Sequence, residues 1–340
     1  MIKKIILKFS VLILFLLVLS FVYEKQFYEK DIQRHSKIVN LVRKIPHDAS
    51  VIYIAESSNT AVHEEDVDKR PISEILNSYL PELNVYDITK PASHAGIYQA
   101  LLRQISKENQ VKTVVVTLNL RSFNAQWIYS PLETSLQKSL VLLSPNPAFI
   151  NRILLSFKGY DIKTEKERNI QIKKKWRHDE FQVPFDFPFK NVIEWDNSMC
   201  INGILDENNS YDLAKTELAC HYIKAYGFQL DTVENPRIAD FNEIIELAEE
   251  RNWNLVFNLL AENTEKANEL VGSELVYFMN QNAKILIEYF STKGVTVVNN
   301  LNSVKNSDFT DQDWTTEHYA EEGRKTIAFS VAKALRKIWI

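Results

Sequence analysis

The chain has 340 residues, 45% hydrophobic and 25% charged, the balance of a globular protein with one large domain or two ordinary ones. A formal net charge of −4 with no long basic block argues against nucleic acid as a partner. The two cysteines and the spacing of the histidines give no zinc-type ligand cluster, so neither a metal nor a cofactor is expected.

The first element is the plainest. Ile5 to Tyr23 is apolar except for Lys8 and two serines, and at 1.5 Å per residue such a helix approaches the ~30 Å of a hydrocarbon core. Lys3, Lys4 and Lys8 lie at its start and the following flank is mixed in sign. The positive-inside rule then places the N-terminus in the cytoplasm and the rest on the extracytoplasmic, periplasmic side. An uncleaved anchor over 1–23 is the preferred reading, and a cleaved signal peptide is the alternative. Residues 24–45 read as a membrane-proximal helix or linker. Strands are expected over 51–55, 84–88, 112–118, 254–260 and 294–299, each a short β-branched or apolar run. Helical patterns fall at 71–80, 95–108, 238–251 and 264–290, with a last helix over 317–337. This alternation gives an α/β fold with a mainly parallel, five-stranded sheet covered on both faces.

The stretch 125–235 breaks the rhythm. It carries helical segments near 132–143, 147–157 and 211–225, and an aromatic, proline-bearing loop from Phe181 to Phe189. It is expected to be a helical insertion capping the carboxyl edge of the sheet, with Phe181, Phe185, Phe187 and Phe189 as an aromatic cover. The halves of the main domain are then 46–124 and 236–340. Cys200 and Cys220 both lie in the insertion, where they either pair in an oxidising compartment or remain thiols.

Four residues carry chemistry. Ser57 follows the first strand in Ala55-Glu56-Ser57-Ser58-Asn59, which places it where ligands bind in open α/β sheets. Gly96, after the second strand, opens a helix and admits close backbone approach. Asn119 directly follows the Val114–Val116 strand, where its amide can face a developing oxyanion. His318, expected at the start of the last helix with Thr315 or Thr316 as its cap, is a candidate general base. Arg121 is a weaker candidate for meeting an anionic group of a substrate, with a surface salt bridge as the other reading.

Taken as a set, the four resemble the blocks of SGNH (GDSL-type) hydrolases. Ala55-Glu56-Ser57 stands where that family has Gly-Asp-Ser, and Gly96 where it has its second-block glycine. Thr117-Leu118-Asn119-Leu120 keeps only the Asn of Gly-x-Asn-Asp, and Thr315-x-x-His318 only the His of Asp-x-x-His. The resemblance covers about 46–124 and 236–337. It implies a flavodoxin-like, three-layer α/β/α fold, with Ser57 as nucleophile and His318 as base. The oxyanion hole would be the backbone N–H groups of Ser57 and Gly96 with the Asn119 amide. Thr315 occupies the position of the family's triad acid, so another carboxylate must serve. Asp313 is the expected one, with Asp311 close by.

An anchor followed by an SGNH-like domain is similar in layout to DltD and the alginate O-acetylation proteins. The resemblance implies an esterase or O-acyltransferase acting on acyl esters of a cell-surface polysaccharide, with a membrane-bound O-acyltransferase as a partner. The alternative is a catalytically inactive, glycan-binding or scaffold protein on the same fold.

Overall fold

Five runs of β-branched and apolar residues pair side by side: β1 (Val51–Ala55), β2 (Val85–Thr89), β3 (Thr113–Leu118), β4 (Asn254–Leu259) and β5 (Thr296–Asn299). In this computed structural model, which describes residues 2–141, 143 and 147–339, their order is β2-β1-β3-β4-β5 with every pair parallel. Ile54 lies opposite Ile88 on one side and Val116 on the other, and Val116 lies opposite Phe257. This is the flavodoxin-like order, which reverses direction between β1 and β3 and opens a crevice at their carboxyl ends.

The helices follow in chain order: α1 (Ile2–Tyr23), α2 (Ile72–Tyr79), α3 (Ala95–Leu102), α4 (Leu132–Val141), α5 (Ala148–Ser156), α6 (Glu165–His178), α7 (Val192–Asn202), α8 (Leu213–Tyr226), α9 (Pro236–Arg251), α10 (Thr264–Leu270), α11 (Ser273–Thr292) and α12 (Glu321–Trp339). Two short helices, Glu29–His35 and Lys37–Arg43, follow α1 through a π-helical turn, and shorter helical turns lie elsewhere. The expected helix over 132–143 is seen as Leu132–Val141, residue 142 lying outside the described residues.

Side chains alternate across the sheet, so each strand feeds two cores. On one face Ile52, Ile54, Val114, Val116 and Phe257 pack with Tyr98 and Leu101 of α3, Phe241 of α9 and Phe290 of α11. On the other face Val51, Tyr53, Val115 and Val256 pack with Ile72 and Leu76 of α2 and Ile327 and Val331 of α12. Both faces are thus covered, which is why β1 and β3 are buried along their whole length.

The 125–235 stretch contributes Leu136, Trp195, Tyr222, Ile223 and Tyr226 to the first of these cores. Phe181 and Phe187 of its aromatic loop pack on Trp195 and Phe278 at ring separations of 4.7 to 6.0 Å, and Phe189 stacks on Trp195. The loop packs half-buried against the outside of that core, and none of its four phenylalanines lines the cavity in front of Ser57, contrary to the expected aromatic cap. The expected helix over 264–290 is interrupted at Gly272, whose φ of +117° favours glycine, so it divides into α10 and α11. The last helix begins at Glu321 and not at 317. His318 therefore precedes it, in an extended segment where Tyr319 bridges Phe309 in antiparallel fashion.

Candidate active site

Ser57 begins a single helical turn, Ser57–Asn59, two residues beyond β1. The turn is held from below. Glu56 is buried and accepts hydrogen bonds from Ser58 (2.7 Å), Tyr98 of α3 (2.7 Å) and Thr117 of β3 (2.7 Å). Its charge is met by three donors, and hydrogen bonds to a charged group contribute ~1.5–3 kcal/mol each. Asn59, fully buried, donates to Thr89 of β2 (2.7 Å) and accepts from the Ser73 N–H (2.9 Å) at the start of α2. The polar residues after β1 thus tie the Ser57 turn to both neighbouring strands and two helices.

His318 arrives from the other end of the chain. The Thr310 N–H donates to the His318 carbonyl (2.9 Å) and the Ala320 N–H to the Asp308 carbonyl (2.8 Å). These bonds run the segments before and after the 311–317 loop antiparallel, which brings residue 311 beside residue 318. His318 Nδ1 then lies 2.8 Å from Asp311 Oδ2, and His318 Nε2 lies 2.9 Å from Ser57 Oγ. Thr316 donates to the same Asp311 oxygen at 2.6 Å. Burial works against the Asp311 charge, but the Thr316 hydrogen bond and the neighbouring imidazole hold its carboxyl below the usual carboxylate range. An ionised Asp311 can only accept, so the network assigns the imidazole proton to Nδ1 and leaves the Nε2 lone pair facing the Ser57 hydroxyl.

The expected acid, Asp313, makes no hydrogen bond or ion pair among the described residues. The correction to Asp311 follows from the antiparallel pairing, which aligns 311 and not 313 with the histidine. Glu317 turns away from His318 to Arg121.

Arg121 is also corrected. It is not a surface residue, and it lies in the wall of the cavity in front of Ser57 with its guanidinium engaged by the chain itself. It is 6% exposed, and its Nε and Nη2 donate to the two carboxylate oxygens of Glu317 while Nη1 donates to the Thr315 carbonyl. Its guanidinium also lies 5.0 Å from the Trp127 ring. Burial opposes its charge, and Glu317 outweighs that effect and keeps it protonated. Glu262 beside this pair is fully buried and hydrogen-bonded by Tyr226 at 2.5 Å. Burial first, then the Glu317 charge, push its carboxyl well above the usual range. Composition gave no signal for this cluster, because its members are spread from residue 121 to 317.

A cavity of about 170 Å³ opens in front of Ser57 and His318, with Asn119, Trp127, Trp314, Ala92 and Arg237 among its lining residues. The Asn119 side chain makes no hydrogen bond among the described residues, and its buried Oδ1 is unpartnered. The backbone N–H groups of Ser57 and Ala92 also make none among the described residues. Gly96 departs from expectation. Its N–H donates to the His94 imidazole (3.2 Å), which caps α3, and Gly96 is not in the cavity wall. A Cβ there would meet the Asp240 carboxylate at 3.0–3.1 Å, so its glycine serves packing against α9. The loop residue that faces the cavity with positive φ is Ala92, at +56°.

Around the cavity rim, His94 Nε2 lies 2.5 Å from Glu133, which Arg237 also meets at 2.7 Å. Elsewhere Asp196, Cys200 and Cys220 form a trio of donors within 4.8 Å of one another. Their sulfurs are 2.9 Å apart, whereas two Zn–S bonds of ~2.3 Å at a tetrahedral angle separate sulfurs by about 3.8 Å. At that spacing the trio does not fit tetrahedral zinc.

No family model and no curated protein matches the chain. Among solved structures, it is similar to a candidate acylhydrolase of Bacteroides fragilis (8% identity, 89% of this chain and 96% of that one covered, TM-score 0.36). It is also similar to a GDSL-like lipase of Bacteroides thetaiotaomicron (8% identity, 92% and 98% covered, TM-score 0.34).

Proposed function

We propose that the chain is a serine esterase or O-acyltransferase of SGNH type. In this reading α1 anchors it in the cell membrane, its domain lies on the extracytoplasmic side, and its substrates are acyl esters of a cell-envelope polysaccharide. The observation that carries the catalytic reading is the continuous Ser57–His318–Asp311 relay at the mouth of a cavity. A glycan-binding role needs no such ordered chain of proton acceptors.

The chemistry follows from the contacts. Ser57 Oγ attacks the ester carbonyl as its proton passes to His318 Nε2, and Asp311 stabilises the imidazolium that forms. The tetrahedral oxyanion is met by the Ser57 and Ala92 N–H groups and the Asn119 amide. His318 returns its proton to the leaving alkoxide, and the acyl group stays on Ser57 as an ester. In the second half His318 takes a proton from the incoming nucleophile, which attacks the acyl-serine, and returns it to the Ser57 oxygen as that oxygen leaves. With water the outcome is hydrolysis. With a sugar hydroxyl it is transfer, to which a membrane-bound O-acyltransferase partner would supply or pass acyl groups.

The cavity of about 170 Å³ is below the ~300 Å³ at which pockets for drug-sized ligands begin. It suits a short acyl group with the alcohol part outside, and not a long fatty chain. Trp127 and Trp314 in its wall offer aromatic faces beside which a sugar ring can lie.

Labelling of the full chain in detergent with a fluorophosphonate probe tests the reading, wild type beside Ser57→Ala and His318→Ala. The expected result is labelling of wild type alone. Wild-type labelling no stronger than that of Ser57→Ala would overturn it.

A further inference from the structure

Helix α5 packs against α1, the segment long and apolar enough to cross a membrane. Along α1 nearly every side chain is exposed, and the covered positions are Leu16, Leu19, Ser20 and Tyr23. Their spacing makes one stripe on the last two turns. The α5 contact reaches that end: the Phe149 ring lies 6.3 Å from the Tyr23 ring, and the Arg152 guanidinium lies 5.2 Å from the same ring and 3.6 Å from Asp31.

Depth follows from helix geometry. The residues of α1 from Ile2 to Tyr23 rise about 33 Å at 1.5 Å each, against a hydrocarbon core of ~30 Å. Tyr23 is then at the interface, where aromatic residues concentrate. Ser20 is about 4.5 Å deeper and Leu16 about 10 Å deeper. A helix packed on this stripe lies among headgroups and upper acyl chains.

The composition of α5 suits that level. Its sequence, Ala148-Phe-Ile-Asn-Arg-Ile-Leu-Leu-Ser156, runs into Phe157-Lys158. Leu154 is 38% exposed and Phe157 82%, and Phe27 on the adjoining turn is 54% exposed. Arg152 and Lys158 are exposed beside them, placed for lipid phosphates. This is the pattern of an interfacial helix, with apolar side chains inward and basic ones at the headgroups.

We propose that α5 with Phe157 is a second membrane contact, a foot that enters the same bilayer leaflet in which α1 ends. This rests on the reading of α1 as a membrane span. One helix alone leaves a domain free to rotate about its anchor. A second contact removes that freedom and fixes which side of the domain, and so which face of the Ser57 cavity, meets the membrane.

The test uses the full chain in nanodiscs of phosphatidylcholine and phosphatidylglycerol doped with a lipid carrying a diazirine in its acyl chain. After irradiation, lipid adducts are mapped by mass spectrometry. Adducts on α1 and on 148–158 are expected. In Leu154→Glu/Phe157→Glu, the adducts on 148–158 should be lost while those on α1 persist. Retained Ser57 labelling by the fluorophosphonate shows that this variant is folded. Adducts on α1 with none on 148–158 would overturn the proposal and assign that face to a protein partner. No adducts on α1 would remove the anchor reading itself, and the foot with it.

Discussion

Replacing Asp311 by Asn tests the relay at its least expected member. The side chain keeps its shape, and with an NH₂ group in the place of Oδ2, the oxygen that Thr316 and His318 share, the Thr316 hydroxyl must turn from donor to acceptor. Its NH₂ group then faces His318 Nδ1, now separated from Asp311 Oδ2 by 2.8 Å. A donor there requires Nδ1 to be the acceptor, which moves the imidazole proton to Nε2 and points it at Ser57 Oγ. The base is lost through the tautomer, without displacement of the ring. The charge is lost as well. A carboxylate and an imidazolium with centres about 4 Å apart attract by ~4 kcal/mol at an effective dielectric of 20, which is roughly a thousandfold in rate. The Asp311 side chain is 38% exposed, so solvent trims this term, while the tautomer change adds to it. A fall of about 10³–10⁴ in kcat, with KM little changed, is expected by comparison with the analogous change in serine proteases. The assay is burst and steady-state release from a chromogenic acetyl ester. Asp313→Asn should stay within about twofold of wild type, as surface substitutions without partners do. A crippled Asp313→Asn beside a healthy Asp311→Asn would refute the assignment.

Four further outcomes follow from the same geometry. Asn119→Ala should lower kcat by about 10²–10³ by removing an oxyanion donor, whereas Gly96→Ala, whose Cβ would press on the Asp240 carboxylate at 3.0–3.1 Å, should act on stability and leave kcat largely intact in the same ester assay. Arg121→Met leaves Glu317 buried without its partner and should cost about 3–5 kcal/mol in urea unfolding; Arg121→Met/Glu317→Gln should recover part of that loss. Cys200 and Cys220, with sulfurs 2.9 Å apart, should be recovered as a disulfide by non-reducing mass spectrometry of protein from an oxidising compartment, adding about 3 kcal/mol for a loop of this length; persistent free thiols there would refute the pairing. At Asp66, burial opposes ionisation, but the hydrogen bond from the buried Arg324 leaves its carboxyl below the ordinary 3.8. Its contribution is complete above that value and is lost as pH falls through the lower folded value, so Asp66→Asn should flatten the acid limb of a pH–stability curve and lower its plateau near neutrality.

The sequence made the sheet legible because each strand is a local run. All five strands were placed within two residues of the observed ends, since β-branched stretches bounded by polar residues need no distant partner to be recognised. Ser57, Asn119 and His318 were legible for a related reason, as strand ends and their order in the chain locate them. What stayed hidden depends on pairing or on backbone angle. Asp311 meets His318 through a short antiparallel contact that no periodicity announces. Ala92 takes a left-handed conformation that sequence normally signals with glycine, while the visible glycine, Gly96, turned out to make room for α9. The start of α12 was misplaced because Thr315 and Thr316 look like caps, yet Thr316 spends its hydroxyl on Asp311. Arg121 and Glu317 are 196 residues apart, beyond the reach of any local pattern.

That last pair also bears on how Ser57, His318 and Asp311 come together without an acid at position 315. In the arrangement the SGNH resemblance implies, one short motif supplies both acid and histidine, so their spacing is set by the motif. Here the two are seven residues apart and joined by a loop containing the half-exposed Trp314, whose ring lies 4.0 Å from that of His221. Arg121 supplies what the motif lacks. From the end of β3 it grips the Thr315 carbonyl and both Glu317 oxygens, fixing the backbone on the N-terminal side of His318. On the other side, Tyr319 is fully buried and its hydroxyl donates to the Ala261 carbonyl at 2.8 Å. His318 therefore sits between two buried clamps, one from each half of the sheet. The acid can then come from wherever the returning strand passes. The upward push on the Glu262 carboxyl fits this scheme, because a second carboxylate charge beside Glu317 would compete for the single guanidinium and loosen the grip on Thr315. Ser57 is fixed separately through Glu56 and Asn59, so the 2.9 Å contact between Ser57 and His318 joins two separately anchored supports.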